Sequence, residues 1–172
     1  MKRQIRRGVF ESNSSSTHAI CISKKKPDLD ELPSCISFTH GEFGWEYDIH
    51  DDLWARASYL YQAICDLHYD DEKGLSKCIN QISDTLGKYG IVCDFEPIKH
   101  DEYGFTEGYI DHAEETRKFV DAVLHSENRL LRYLCGDSFI VTGNDNDDAY
   151  YDWMEENEQR VAEDHEIYKK GN

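Results

Sequence analysis

The segment Arg6-Arg7-Gly8-Val9-Phe10-Glu11-Ser12-Asn13-Ser14-Ser15-Ser16-Thr17-His18 gathers five hydroxyls, an amide, a carboxylate, an imidazole and two guanidinium groups within thirteen residues. Hydroxyls and backbone N–H groups held on a loop donate hydrogen bonds to an anion. Arg6 or Arg7 adds the bidentate charge that suits a phosphate or a carboxylate. Glu11 and His18 flank the serines Ser14, Ser15 and Ser16, and an imidazole there is placed to act as acid or base near neutral pH. The competing account is a polar hairpin, because Ser and Asn side chains readily bond their own backbone. A serine nucleophile has little support. The sequence holds no Gly-x-Ser-x-Gly turn, nothing in it fixes an oxyanion hole, and no Gly-rich phosphate fingerprint is present.

Two further segments carry polar groups in suggestive order. In Tyr109-Ile110-Asp111-His112, Asp111 is suited to cap a following helix by accepting a backbone N–H. His112 would join His18 if the fold brings the two loops together. The other is Thr142-Gly143-Asn144-Asp145-Asn146-Asp147-Asp148. Set against a calcium loop, Asn144, Asn146 and Asp148 take the first, third and fifth positions and Glu155 the twelfth. Asn stands where the first ligand is normally Asp, and Ala149 stands where Gly is required. An acidic turn fits better, with Asn144, Asp145 and Asp147 as candidate ligand-binding groups. Cys65 and His68 are spaced for one helix face, where both also fit the apolar stripe. No pair of cysteines has C-x-x-C spacing, so no metal is assigned and the cofactor is left unknown.

The elements that must position these residues read as α+β. Strand-like alternation is predicted at Gln4–Phe10, His18–Ser23, Ser34–Thr39 and, more weakly, Trp45–Ile49, separated by turn-prone runs. A small antiparallel N-terminal sheet follows. From Asp51 the period lengthens: Trp54, Ala57, Leu60, Ile64 and Leu67 predict a helix of four to five turns capped by Asp51 or Asp52, and Leu75 to Tyr89 predict a second that ends at Gly90. Ile91–Phe95 reads as a strand, Lys99–Gly108 as a surface loop, Phe119–Leu124 and Leu130–Leu134 as helices with Gly136 closing the second, and Ser138–Thr142 as the last strand. Tyr150–Lys170 reads as a largely exposed acidic helix. The chain divides into mainly strands over 1–50, a helical pair over 51–90, a mixed region over 91–149 and the acidic helix over 150–170, all within one domain over 1–172.

At 172 residues the chain is long enough to bury roughly 70% of its unfolded surface. The six cysteines are spread singly beside apolar neighbours, which is the pattern of free thiols in a reducing compartment. Basic residues at the start are not followed by an apolar run, so a cytoplasmic protein without a membrane segment is expected. Charge is unevenly placed: seven basic residues against Glu11 leave residues 1–26 at +6, so of the total of −16 the remainder carries −22. That field opposes direct nucleic-acid binding except through the basic N-terminal segment, and favours a partner with a basic surface.

On the residues Arg6 to His18, and with weaker support from Tyr109-Ile110-Asp111-His112 and Thr142 to Asp147, the chain resembles a group of small proteins encoded by bacteriophages and mobile elements of Gram-positive bacteria. These open with a basic strand followed by Gly-Val-Phe-Glu-(Thr/Ser)-Asn-Ser-Ser-Ser-x-His. The resemblance implies an origin and a site in which the three polar segments belong together; it implies no reaction. Two functions are weighed, beside a structural or assembly role with no pocket. One is an acidic phage-type accessory protein that binds and inhibits or redirects a host protein, such as a nuclease-based defence system, in the manner of an anti-CRISPR protein. Asp148, Asp152, Glu155, Glu156, Glu158 and Glu163 would face its partner. The other is an enzyme or sensor for a phosphorylated small molecule or nucleotide, built on Arg7, Glu11, Ser14–Ser16, His18, Asp111, His112 and Asp145. The sequence leans toward the first, since it shows no complete catalytic set.

Overall fold

The computed structural model describes residues 16–44, 46–98, 107–111, 116–144 and 148–170. The strand predicted over Gln4–Phe10 and the candidates Arg7, Glu11, Ser14, Ser15, His112, Asp145 and Asp147 lie outside the described residues. Within them the chain is α+β. Its strands are β1 (Ser16–Ser23), β2 (Cys35–Phe38), β3 (Glu42–Phe43), β4 (Asp48–His50), β5 (Val92–Phe95), β6 (Tyr109–Ile110), β7 (Phe139–Asn144) and β8 (His165–Lys170). Its helices are α1 (Leu53–Leu67), α2 (Glu72–Gly87), α3 (Thr116–Leu124), α4 (Glu127–Cys135) and α5 (Asp148–Asp164).

The principal sheet has four strands in the order β4-β7-β1-β8 and is antiparallel throughout. Two of its strands, β1 and β4, come from the N-terminal third, as expected, but they are not neighbours: β7 lies between them. The short strands β2 and β3 leave this sheet and pair in parallel with β5 and β6. All eight residues of β1 are buried, because it is an interior strand covered on both faces. Ile20, Ile22 and Ile140 point to an inner face closed by α1, α3 and α4. Ala19, Cys21 and Val141 point to an outer face closed by Tyr150, Met154 and Val161 of α5. The alternation of apolar residues along β1 therefore serves two cores at once.

α1 runs through the middle of the inner layer. Asp52 caps it, its Oδ1 accepting the Ala55 N–H at 2.9 Å, as the sequence predicts. Ten successive residues, Arg56 to Cys65, are buried, so the helix has no solvated face over nearly three turns. Each polar side chain along it meets a defined partner. Ser58 Oγ lies 2.8 Å from Thr39 Oγ1, Tyr61 donates to the Glu96 carbonyl at 2.6 Å, and Gln62 lies 3.0 Å from His40 Nδ1 and donates to Asp66 at 2.8 Å. The Arg56 guanidinium donates to the carbonyls of Asp51, Ser138 and Leu134, the last two each at 2.7 Å. It thereby satisfies the C-terminal end of α4.

The C-terminal region differs from its sequence expectation. The acidic helix is present, but it stops at Asp164, and His165–Lys170 is a strand along the free edge of β1. The reason lies in the adjacent pair Ile167 and Tyr168. In a strand successive side chains face opposite ways, so Ile167 joins the outer core and Tyr168 the inner one. A helix would place both near one side and leave the β1 edge unpaired. The Asp111 carboxylate accepts a hydrogen bond from the Ser16 hydroxyl; the residues it is expected to cap, 112–115, lie outside the described residues.

Candidate functional site

The inner face of the sheet changes character along its length. At one end cross-strand partners are Ile20 and Ile140; at the other they are His18 with Thr142 and Ser16 with Asn144. β4 continues the polar end by placing Asp48 beside Thr142. Cross-strand partners share a face, so Ser16, His18, Thr142 and Asn144 form a polar patch directed at the helical layer. Ser16 and His18 are fully buried, and Thr142 nearly so.

Each of these groups meets a residue remote in sequence. The Ser16 hydroxyl donates to the Asp111 carboxylate across 95 residues of chain. His18 Nδ1 lies 2.7 Å from the Tyr59 hydroxyl of α1. Tyr59 in turn packs edge-on against Phe43 of β3, with ring centroids 5.0 Å apart. Phe43 meets the His50 ring edge-on at 5.3 Å. Thr142 Oγ1 donates to the Glu46 carbonyl at 2.9 Å and lies 3.4 Å from His50 Nε2.

Gly44 explains how His18 and Asp111 come together. It has φ +130°, a left-handed conformation favouring glycine. A Cβ placed on it would lie 2.7 Å from His18 Nε2 and 2.9 Å from Asp111 Cβ. The imidazole and the aspartate thus flank one backbone position, and only a residue without a side chain leaves room for both. Asp111 and His50 remain partly exposed, marking the side from which solvent approaches.

Burial governs the electrostatics. Full burial, reinforced by Asp66 and then Tyr150, raises the Tyr59 hydroxyl far above the usual tyrosine value, so it is a neutral hydrogen-bonding group at any physiological pH. Burial also lowers His50, more than the carboxylates of Asp48, Asp52 and Asp51 raise it. Neutral imidazole is thereby favoured at His50.

Of the candidates that lie within the described residues, Ser16, His18, Asp111 and Asn144 stand at this one end of the sheet. The acidic candidates stand apart on α5, where Asp148, Asp152, Glu155, Glu156 and Glu163 are exposed and Glu158 is half-buried. At spacings of three and four residues these make a carboxylate stripe along the outward side of the helix. Glu166 does not belong to it: it pairs with Arg129 and, at 3.3 Å, with Arg132. The calcium-loop register is absent, since Asn144 ends β7 while Asp148 and Glu155 lie on α5. Among the described residues no group of three or more His, Cys, Asp or Glu is placed to hold a metal ion, and no helix is long and apolar enough to cross a membrane.

Sequence reasoning passed over Tyr59, Gly44 and His50. Tyr59 falls outside the three-to-four spacing picked out in α1, because a helix buried all round has no apolar stripe to mark its important positions. Gly44 was legible only as a turn residue. His50 carried one usable signal: it is a histidine between a strand and an N-cap aspartate. Comparison with known protein families, with curated proteins and with solved structures found no match.

Proposed function

We propose that this protein is a sensor or enzyme for a phosphorylated small molecule or nucleotide, held at the polar end of the sheet. The observation that carries this reading is the convergence of Ser16, His18, Asp111 and Asn144 from three separate segments at one end of the sheet, with His18 and Asp111 both against Gly44. Buried polar groups cost stability unless each is satisfied. A small fold that gathers hydroxyl, imidazole, carboxylate and amide groups at one point, with the apolar pair Ile20 and Ile140 two residues along the same face, keeps them for a reason beyond packing. In this reading His18 is the proton-carrying group, Tyr59 fixes its ring, Ser16 and Asn144 hydrogen-bond the ligand, and Arg7 supplies charge to its phosphate. The test is calorimetric titration with nucleotides and sugar phosphates, using wild type, His18→Gln and Asn144→Ala. Binding by wild type that both variants lose supports the assignment; no binding across the panel, or binding unchanged in both, removes it.

The exposed stripe on α5 favours a second reading, a phage-type accessory protein that inhibits or redirects a host protein through a basic surface. Carboxylates along one helix side can occupy the basic groove where a nuclease holds its nucleic acid, and opposite fields speed association. Affinity capture from nuclease-treated host lysate tests it. A stoichiometric partner released as salt rises supports this reading. A partner held undiminished in about 1 M salt, where the screening length is about 3 Å, counts against it.

A further inference from the structure

The short parallel pair β3–β6 delivers two residues of the polar site. Its strands run in the same direction, so Gly44 after β3 and Asp111 after β6 emerge at neighbouring ends, where parallel strands commonly present ligand-binding groups. Toward β3 the pair is bonded: the Tyr109 N–H donates to the Gly41 carbonyl at 2.9 Å and the Asp111 N–H to the Phe43 carbonyl at 3.0 Å. Among the described residues no strand stands on the other side of β6. Ile110 turns its N–H that way and is buried, and a buried N–H left without an acceptor costs stability.

A side chain of α1 takes the place of the absent strand. Asp66 Oδ2 accepts the Ile110 N–H at 3.2 Å, and its Oδ1 accepts from Gln62 Nε2 at 2.8 Å. Gln62 is fully buried. Because its amide nitrogen faces Asp66, its Oε1 faces His40 Nδ1 at 3.0 Å, and the imidazole is the donor there. Gly108, at φ +78°, brings the chain into β6 across the same amide. A Cβ on it would lie 2.6 Å from Gln62 Oε1 and 2.5 Å from the Gly41 carbonyl oxygen. His40 stands two residues ahead of β3, so one relay from α1 holds the approach to both strands.

We propose that Asp66 is a positioning residue of the polar site, setting where Asp111 stands through the Ile110 N–H. The part that placement plays in binding rests on the proposed function; the placement itself does not. Ile110 and Asp111 are adjacent, so a shift of the Ile110 backbone carries the Asp111 carboxylate away from the Ser16 hydroxyl that donates to it. Position 66 calls for a carboxylate. Two N–H donors converge on it, and an ionised carboxylate is acceptor-only, with one oxygen for each. An amide offers a single acceptor oxygen and turns its own N–H groups toward the second donor. Asp66→Asn therefore breaks one of the two bonds while conserving shape.

The experiment follows the Asp111 carboxyl carbon by NMR in the full-length, carbon-labelled chain without ligand. A ligand panel that shows no binding thus removes the proposed function and leaves this result standing. Ser16→Ala deletes the donor to Asp111 and is expected to move the resonance in an otherwise wild-type chain. In an Asp66→Asn background the same substitution is expected to move it at most roughly half as far, because the two changes act on one bond and do not add. Ile82→Val, in the buried part of α2 and outside the relay, controls for general loosening and should leave the Ser16→Ala shift whole. A full-size shift in Asp66→Asn overturns the proposal, as does an equal reduction in Ile82→Val or no shift in the wild-type background. Should Asp66→Asn fail to fold, Gln62→Met decides, since it removes the donor that anchors Asp66 Oδ1: a reduced shift supports the relay and an unchanged one rejects it.

Discussion

α1 and α5 are nearly equal in length, 15 and 17 residues, yet α1 buries ten in succession whereas α5 buries only Tyr150, Met154 and Val161. Both helices are rich in polar side chains. In α1 each one is held by a named partner inside the fold; in α5 most are left to water. The contrast teaches where polarity has structural consequence. A buried polar group must be satisfied by geometry, so changing it disturbs its partners. A solvated one is felt only by a molecule that arrives from outside.

The strongest challenge to this contrast is Arg56→Met. It leaves the carbonyls of Ser138 and Leu134 buried without their donor, and a loss of about 3–4 kcal/mol is expected in urea unfolding. A loss below about 1 kcal/mol would show that Arg56 is held by α4 rather than holding it. Tyr59→Phe removes the hydroxyl from His18 Nδ1 while keeping the ring contacts, and is expected to cost about 1–3 kcal/mol. Its effect on ligand binding should exceed that of any α5 change.

The third test uses pH. The His50 value is lowered by burial below the ordinary 6.5, so protonation favours the unfolded chain. Its contribution is complete above pH 6.5 and is lost as pH falls through the folded value. The urea midpoint of wild type should decline on acidification below that point, and His50→Phe should flatten this part of the profile. The smallest effect belongs to α5. Glu155→Gln with Glu156→Gln is expected to change stability by no more than about 0.5 kcal/mol. The same pair should reduce the salt dependence of binding to a basic partner, measured by titration at two ionic strengths.

How far the sequence was legible varied by the same rule. α2 and α4 announced themselves, because helical spacing in the chain matches a real difference between two sides; β1 and β7, buried on both faces, were legible instead as short runs bounded by turn residues. Gly136 ended α4 and Asp52 capped α1 as local chemistry requires. β8 did not, since Ile167 and Tyr168 are compatible with a helix until the vacant edge of β1 is known. Among the site residues, Ser16, His18, Asp111 and Asn144 were visible as polar types in unusual runs. Their partner Tyr59 was not, because in a helix enclosed on every side the pattern carries no direction. Asp111 was visible only for its local suitability as a helix cap, and its bond to Ser16, which spans 95 residues, was not.

By itself the sequence determined the mixed α and β character, the placement of most elements to within a few residues, the Asp52 cap and the segregation of negative charge beyond residue 26. All of these follow from interactions a few residues apart or from composition. Only the tertiary structure decided that β1 lies between β7 and β8 and that one end of the inner face is polar. It alone placed Gly44 where His18 and Asp111 converge, and it separated the buried cluster from the acidic stripe. Those facts depend on which distant strands share an edge, and pairing across a hundred residues leaves no periodic mark in the chain that makes it.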